Sequence, residues 1–321
     1  MIYLLDDDLD VIALAEKTAL CVLNYNFRAV SDGSVELCLE EDDTFLPDVS
    51  YLYFSDERKI FLAERYEIIC DAKRGKRAVI YLKGAEYLLY NRYFAQNEYF
   101  CGNIEEGIYS LAERYFASDG IYSLSTSRVL PPDTQGCFIS SNERISDRLY
   151  SALAVVGASY VVDFDFPERK FIFRIVASDN SKVVFSSGYG NIARLEYKSA
   201  NITYDSVNIR CADGNFMFGN GAPLQRRELT LALPTLERGE LTEEEYSAAL
   251  ESRARELLFR ENAAHISFAP TEDAASRFGE AFVLGDVLSL DGYGDAVIVE
   301  AKKIYKDGKS SLELVGEIVR G

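Results

Sequence analysis

The sequence predicts an α+β protein that is mainly β, with two β-barrel-like domains around an α+β middle layer. Short apolar strands separated by turn residues fill residues 1–83. Two amphipathic helices and a hairpin occupy residues 84–180, and short strands resume in 181–321, where one helix is inserted at about 242–264. We expect these three ranges to be the domains, and 321 residues are enough for more than one.

The first domain is predicted as β structure throughout. Strands at 2–5 and 11–14 flank an aspartate-rich turn, and residues 35–39 alternate in polarity after the turn pair Asp32-Gly33. Further strands are predicted at 60–63, 66–69 and 79–82. The basic run from Lys73 to Arg77 lies between the last two. We interpret it as a solvated hairpin tip, with contact to an acidic partner as the alternative.

The middle domain begins with a helix whose start resembles a capping box. Asn103 is its N-cap, Glu106 follows three residues later, and Asp119-Gly120 is expected to end it. The apolar residues of this helix share one face: Ile104, Ile108, Leu111, Ala112 and Tyr115. The polar stretch 125–142 contains Pro131-Pro132 and is predicted as a loop. A second helix at 146–156 precedes a hairpin at 160–175.

The third domain has the most clearly signalled helix of the chain. Thr242 and Glu245 form a capping box, and Leu241 and Tyr246 have the spacing of a hydrophobic staple. Strands are predicted at 182–185, 193–197, 206–210, 227–231 and 282–290, and a hairpin pairs 296–304 with 311–319. The Gly285-Asp286 pair inside the strand at 282–290 suggests a bulge.

Charge and composition exclude several functions. The chain has 34 Lys+Arg against 52 Asp+Glu, a formal net charge of -18, which excludes a simple nucleic-acid binder. The single histidine, His265, excludes a two-histidine metal site, and its position at a helix–strand junction favours a local hydrogen-bonding role. The glycine clusters at 188–190 and 219–221 match neither a dinucleotide nor a P-loop motif.

The cysteines and the N-terminus indicate the compartment. None of the six cysteines is in a C-x-x-C motif, and we interpret them as free, mostly buried thiols in a reducing compartment. The N-terminus lacks the features of a signal peptide, and no apolar run approaches about 18 residues. We therefore expect synthesis in a cytoplasm, without the ordinary secretion route or a membrane span.

Two sets of residues suggest alternative functions. Asp163 and Asp165 share a strand face and suit a carboxylate pair of a cell-wall glycan hydrolase, although a solvated hairpin face is the simpler interpretation. Tyr87, Tyr90 and Tyr93 suggest a platform for host carbohydrate, but their spacing favours packing in a core or an interface. We predict no catalytic, cofactor-binding or metal-binding residues, and no enzyme activity.

Several motifs follow one another along nearly the whole chain: Leu4-Leu5-Asp6-Asp7-Asp8-Leu9 with Val11-Ile12, Phe27-Arg28 through Asp32-Gly33-Ser34-Val35-Glu36-Leu37, Gly84-Ala85-Glu86-Tyr87-Leu88-Leu89 with Arg92, Phe185 to Ile192, Tyr204-Asp205-Ser206-Val207-Asn208, Arg226-Arg227-Glu228-Leu229, the helix from Thr242, and Phe282 to Val287. In this order they resemble the motifs of the tail hub, or tail-associated, proteins of siphophages and prophages. The sequence departs from the family at Ala85, where the family often has arginine, and in the loop 198–201.

The resemblance implies a structural protein with the two-barrel fold of phage baseplate hubs. Such a hub is expected to form a homotrimer at the tail tip, where it closes the tail tube and docks on the distal tail protein. Its other expected partners are the tape-measure protein and receptor-binding or fibre proteins. The lytic domain that some relatives carry after the hub module is not expected here. A central channel would pass DNA, and the charge of -18 would keep DNA from adhering.

Overall fold

The computed structural model describes residues 1–15, 17–40, 45–73, 75–117, 120–198, 203–219 and 227–319. Some residues named in the predictions above lie outside these ranges: Arg74, Asp119, residues 199–201, the Asn220-Gly221 pair and Arg226. The first block holds seven strands: β1 Ile2–Leu5, β2 Val11–Ala15, β3 Thr18–Asn26, β4 Asp32–Cys38, β5 Tyr51–Phe54, β6 Lys59–Asp71 and β7 Gly75–Gly84.

The middle block alternates helices and strands. Its elements are α1 Tyr87–Tyr90, β8 Glu98–Asn103, α2 Ile104–Tyr115, β9 Tyr122–Leu124, β10 Gln135–Ser140, α3 Ile145–Ala154, β11 Ala158–Asp165 and β12 Lys170–Ala177. The Asn103 side chain accepts a hydrogen bond from the Glu106 N–H, as its position predicts, and so fixes the start of α2. The hairpin β11–β12 buries Tyr160, Val162 and Phe173.

The last block returns to strands. Its elements are β13 Asn180–Phe185, β14 Ile192–Lys198, β15 Ser206–Cys211, β16 Gly214–Gly219, β17 Glu228–Leu233, α4 Glu243–Glu261, β18 His265–Pro270, α5 Glu272–Ala275, β19 Val287–Leu290, β20 Gly294–Lys306 and β21 Lys309–Ile318. The capping box at Thr242 and Glu245 is present with both of its hydrogen bonds, which confirms the predicted start of α4.

A large sheet joins the first and last blocks. Its strands follow the order β14-β18-β21-β20-β3-β4-β7-β6-β5-β1-β2, and β19 and β13 continue from β20. β3 and β20 pair antiparallel over seven residues, from Asn26 opposite Glu300 to Leu20 opposite Lys306. The predicted mainly β fold around an α+β layer is therefore confirmed, although the described strands form open sheets instead of closed barrels.

The three largest hydrophobic cores of the described residues support this arrangement. One lies against the large sheet and combines residues of both strand-rich blocks, such as Phe61 and Ile298. A second fills the middle block, where Phe138 and Phe173 are buried. The third lies under α4, whose Leu250 packs in the same core as β15–β17. Because burial of apolar area is the main favourable contribution to folding, these cores stabilise the packing of the large sheet, the middle block and α4.

Three strand predictions are wrong in detail. Residues 60–69 belong to one continuous strand, β6, which bends at a register shift between Ala63 and Arg65 and is not interrupted by a turn. The predicted loop 125–142 contains a strand, β10, because residues 135–140 pair with β8. Residues 282–286 form a turn in which Gly285 has φ +95°, so the strand begins only at Val287.

The prediction of free, mostly buried cysteines is also wrong. Cys101 and Cys137 form a disulfide, because β8 and β10 place them opposite each other with 4.1 Å between their Cα atoms. Of the free cysteines, Cys21 is buried, whereas Cys38 and Cys70 are exposed.

Candidate assembly surfaces

The distal half of β6 is an unpaired sheet edge. β6 pairs with β5 only as far as Leu62, and from Arg65 to Asp71 its sole strand partner among the described residues is β7. Every side chain from residue 64 to 71 is exposed, including Tyr66 at 42% and Ile68 at 51%. A long exposed strand with large apolar side chains is a template for pairing with another strand.

The two faces of this β6 edge differ. Tyr66 and Ile68 lie opposite the buried Ile80 and Ala78 of β7, so they continue the core side of the sheet. Arg65 and Glu67 alternate with them on the outer side and form an exposed ion pair of 3.2 Å. The Arg65 guanidinium also lies 4.0 Å from the centre of the Tyr81 ring. An exposed pair of this kind contributes little stability and is free to exchange partners.

β14 is the first strand in the order of the large sheet, and β2 is the last. In the described part of the chain β14 pairs only with β18. Leu195 lies opposite the buried Phe268 and so faces the core side. Arg194, Glu196 and Lys198 alternate with it on the outer side, and the arginine and lysine each pair with Glu196, at 3.2 and 3.4 Å. β14 therefore has the same division as residues 65–68 of β6, with charge outside and apolar side chains inside.

The basic run at 73–77 is only partly a solvated tip. The Lys73 N–H donates to the Asp71 carboxylate at 2.7 Å and closes the turn. Arg77 is buried and pairs with Glu36 on β4, so it belongs to the sheet and not to the tip. The expectation of a solvated basic cluster is thus wrong for Arg77, because β7 begins at Gly75 and carries Arg77 into the ladder.

The tyrosines at 87, 90 and 93 form a half-exposed ladder and not a core stripe. The rings of Tyr87 and Tyr90 stack with 5.2 Å between their centres. The Arg144 guanidinium lies 4.3 Å from the centre of the Tyr90 ring, and its Nε donates to the Tyr93 hydroxyl at 2.9 Å. Because α1 ends at Tyr90, Tyr93 is outside the helix and 48% exposed. This surface therefore stays available to a partner.

The two aspartates that suggested a hydrolase have different surroundings. Asp163 accepts from Lys59 at 2.8 Å and also pairs with Arg174. Burial opposes ionisation of Asp163, but these two cations outweigh it and lower the pKa of the carboxyl. Asp165 accepts from the Glu168 N–H at 3.1 Å in the hairpin turn. A low pKa makes Asp163 unsuited to the general-acid role of a glycosidase.

The described ranges contain no group of three or more His, Cys, Asp or Glu side chains that could hold a metal ion. No helix in those ranges is long and apolar enough to cross a membrane. His265 is exposed at the start of β18, opposite Lys198 and Glu317.

No protein-family model matches the sequence, and no curated protein matches it. Solved structures do match the fold. A tail protein from Neisseria meningitidis MC58 superposes with a TM-score of 0.58 at 10% identity, over 98% of this chain and 95% of that one. The 43 kDa tail protein of prophage MuSo2 from Shewanella oneidensis has a TM-score of 0.58 at 12% identity, over 99% and 98% of the two chains.

A third solved structure with this fold comes from a protein secretion system. The Escherichia coli c3393 protein has a TM-score of 0.54 at 9% identity, over 95% of this chain and 74% of that one. It is a component of the type VI secretion system and exhibits structural similarity to the T4 bacteriophage tail proteins gp27 and gp5. The chain therefore has the fold of phage and prophage tail proteins, which confirms the resemblance to the tail-hub family at the level of fold.

Proposed function

We propose that this chain is a structural hub protein at the tail tip of a phage or prophage. The observation that carries the proposal is the end-to-end match of fold with the MuSo2 tail protein, which covers 99% of this chain and 98% of that one. In this role the chain forms a homotrimer, docks on the distal tail protein and meets the tape-measure protein and receptor-binding or fibre proteins. The domain division 1–83, 84–180 and 181–321 remains part of the proposal.

The charge of the chain fits a channel for DNA. With a net charge of -18, the protein repels phosphate groups over roughly 10 Å at 0.1 M salt. A channel wall with an excess of carboxylates would let DNA pass without adhering. A structure of the assembled trimer with the excess of acidic residues on its outer rim and a neutral lumen would contradict this part of the proposal.

The unpaired half of β6 and the terminal strand β14 suggest how copies join. In an antiparallel pair of β6 from one copy with β14 from the next, Arg65 lies opposite Glu196 and Glu67 opposite Arg194. On the core side, Tyr66 then meets Leu195. Both faces match, because the charged faces of the two edges are the outer ones and the apolar faces are the inner ones. Such a contact uses different surfaces on the two copies, and it closes into a ring when the rotation allows.

The tail role is tested by deletion in the host that carries the gene. Induced particles from the deletion strain should lack complete tails, and a plasmid copy of the chain should restore them. Mass spectrometry of purified particles should detect the chain, and immunogold labelling should place a tagged copy at the tail tip. Normal infective tails without the chain, or its absence from particles that contain other tail proteins, would contradict the proposal.

The edge contact is tested separately by exchanging charges in the same complementation assay. E67R places two arginines opposite each other and R194E places two carboxylates opposite each other, so each variant should complement poorly. The double variant E67R/R194E restores the pair and should recover tail assembly. The matched control is E168R in the exposed β11–β12 turn. If the double variant is no better than the single ones, the edge contact is wrong while the tail role still stands.

The hydrolase alternative has its own test. If D163N/D165N loses a lytic activity that the wild-type chain shows on purified cell wall, and the fold is intact by circular dichroism, the structural role alone is insufficient.

A further inference from the structure

The Cys101–Cys137 disulfide joins two residues that differ in exposure. β8 and β10 pair antiparallel, and Cys101 lies directly opposite Cys137 in their register. Cys101 is exposed, whereas Cys137 is half-buried and packs against the core under α4. Small thiols and disulfides in solution therefore reach the bond from the Cys101 side.

The strands hold the two cysteines opposite each other by contacts that do not involve the bond. Next to Cys101, the Asn103 side-chain amide donates to the Pro132 carbonyl oxygen at 2.9 Å and ties β8 to the segment before β10. The rings of Phe100 and Phe138 stack between the strands with 5.3 Å between their centres. A folded chain with two free thiols therefore keeps them in place, and closing the bond becomes an intramolecular step.

The compartment predicted from the sequence makes a permanent disulfide unexpected. The N-terminus has no signal-peptide features, and synthesis is expected in a cytoplasm, where thiols are kept reduced. Disulfides in such proteins are usually transient and respond to the redox state of the surroundings. An exposed cysteine in the bond is what such a response requires, because thiol–disulfide exchange depends on access to the sulfur.

We propose that Cys101 and Cys137 form a clamp that opens and closes with the redox state of the surroundings, and that exchange begins at Cys101. In closing, the Cys101 thiolate attacks one sulfur of a small disulfide such as glutathione disulfide, and one glutathione thiolate leaves. The Cys137 thiolate then attacks Cys101 Sγ, and the second glutathione thiolate leaves. Two protein thiols are oxidised, one glutathione disulfide is reduced, and the two protons of the protein thiols pass to the glutathione thiolates.

The clamp changes the stability of the middle block without changing its fold. The bond closes a loop with a sequence separation of 36 that contains α2. Because a cross-link restricts the unfolded chain, the closed form resists unfolding more than the open form. In the proposed tail role, the clamp is open while copies assemble in the host cell and closes after release. Only this last consequence rests on the proposed function.

The first test traps the exchange step in the folded full chain. Every variant carries C38A/C70A, which removes the two exposed free thiols. Each is reduced with dithiothreitol, desalted and mixed with glutathione disulfide without denaturant, and peptide mass spectrometry locates the products. C137S should accumulate a mixed disulfide on Cys101. C101S should form one on Cys137 about tenfold more slowly, because the core under α4 shields that sulfur. The buried Cys21 should remain unmodified in both, as an internal control for an intact fold.

The second test asks whether the clamp works in the native state. Chain purified without a reductant should start in the bonded form. Dithiothreitol should open the bond without urea, the far-ultraviolet circular dichroism should stay unchanged, and the urea midpoint of unfolding should fall. Glutathione disulfide should then restore the bond and leave no lasting adduct.

Three results would overturn the proposal. The first is equal rates of mixed-disulfide formation in C137S and C101S. The second is a bond that dithiothreitol opens only after urea has unfolded the chain, and the third is loss of the folded spectrum on reduction. Because both tests use the purified chain alone, any of these results would leave the tail role standing.

Discussion

Replacing Glu256 by alanine should destabilise the protein more than any exposed substitution on the same helix. The Glu256 and Arg148 side chains are 1% and 0% exposed, and the pair joins α4 to α3 through bonds of 2.5 and 3.1 Å. Glu256 also accepts from Arg253 at 2.9 Å, and Arg253 pairs with Glu143 at 2.5 Å. The group is therefore two guanidiniums balanced by two carboxylates.

E256A leaves one carboxylate facing two guanidiniums in the interior. Removing one partner of a buried ion pair costs about 3–5 kcal/mol, because the remaining charge is desolvated and unpaired. The double variant R148M/E256L removes both charges and leaves Arg253 paired with Glu143. We therefore expect its free energy of unfolding to be within about 1 kcal/mol of the wild-type value. The control is E251A, whose partner Arg255 is 2.7 Å away but exposed, and which should lose less than about 0.5 kcal/mol.

The measurement is urea unfolding followed by far-ultraviolet circular dichroism. The free energy of unfolding is extrapolated to zero urea. The slope of this free energy against urea concentration is compared among the variants, because a changed slope indicates a change in the denatured or native state or a departure from two-state unfolding. A loss below about 1 kcal/mol for E256A would refute the reasoning. A double variant as unstable as E256A would also refute it, because the loss would then come from packing and not from an unpaired charge.

Two further predictions concern covalent and ionic links. The variant C101A/C137A should lose about 3–4 kcal/mol, since the bond closes a loop with a sequence separation of 36. Thiol titration of the unreduced, denatured wild type should find four thiols and not six; six would contradict the bond. D163N should lose about 2 kcal/mol at neutral pH, because Asp163 bonds to Lys59 and Arg174. The folded pKa of Asp163 is lowered, so its contribution is present above the unfolded pKa of about 3.8 and disappears as the pH falls through the folded value. A wild-type advantage that grows on acidification would contradict this assignment.

Local signals in the sequence predicted local structure well. Asn103 and Thr242 stand at the helix starts that the capping pattern predicts, because capping involves residues only three positions apart. The alternation at 160–175 predicted which side chains of the hairpin are buried, since the two faces of a strand differ in every second residue.

Contacts between distant residues were not predictable from these patterns. Arg148 and Glu256 are 108 positions apart, and nothing in the sequence around either residue indicates the other. The Cys101–Cys137 pairing depends on β10, a strand within the proline-containing stretch 125–142 that was predicted as a loop. The exposed edges were also missed, because exposure of β6 depends on β5 ending beside Leu62 and exposure of β14 depends on its terminal place in the sheet.

In the proposed contact between copies, the charges on β6 and β14 favour one register. If β14 is shifted by two residues along β6, Arg65 lies opposite Lys198 and Glu67 opposite Glu196, so both outer pairs repel. The alternative with Arg65 opposite Glu196 attracts at both positions. Like charges directly opposite each other in a sheet destabilise it, and opposite charges contribute roughly 0.2–1 kcal/mol for each pair. Alternating charge on an open edge also discourages unspecific pairing. The same residues thus discourage unspecific pairing of the free chain and, in the proposed contact, favour a single register between copies.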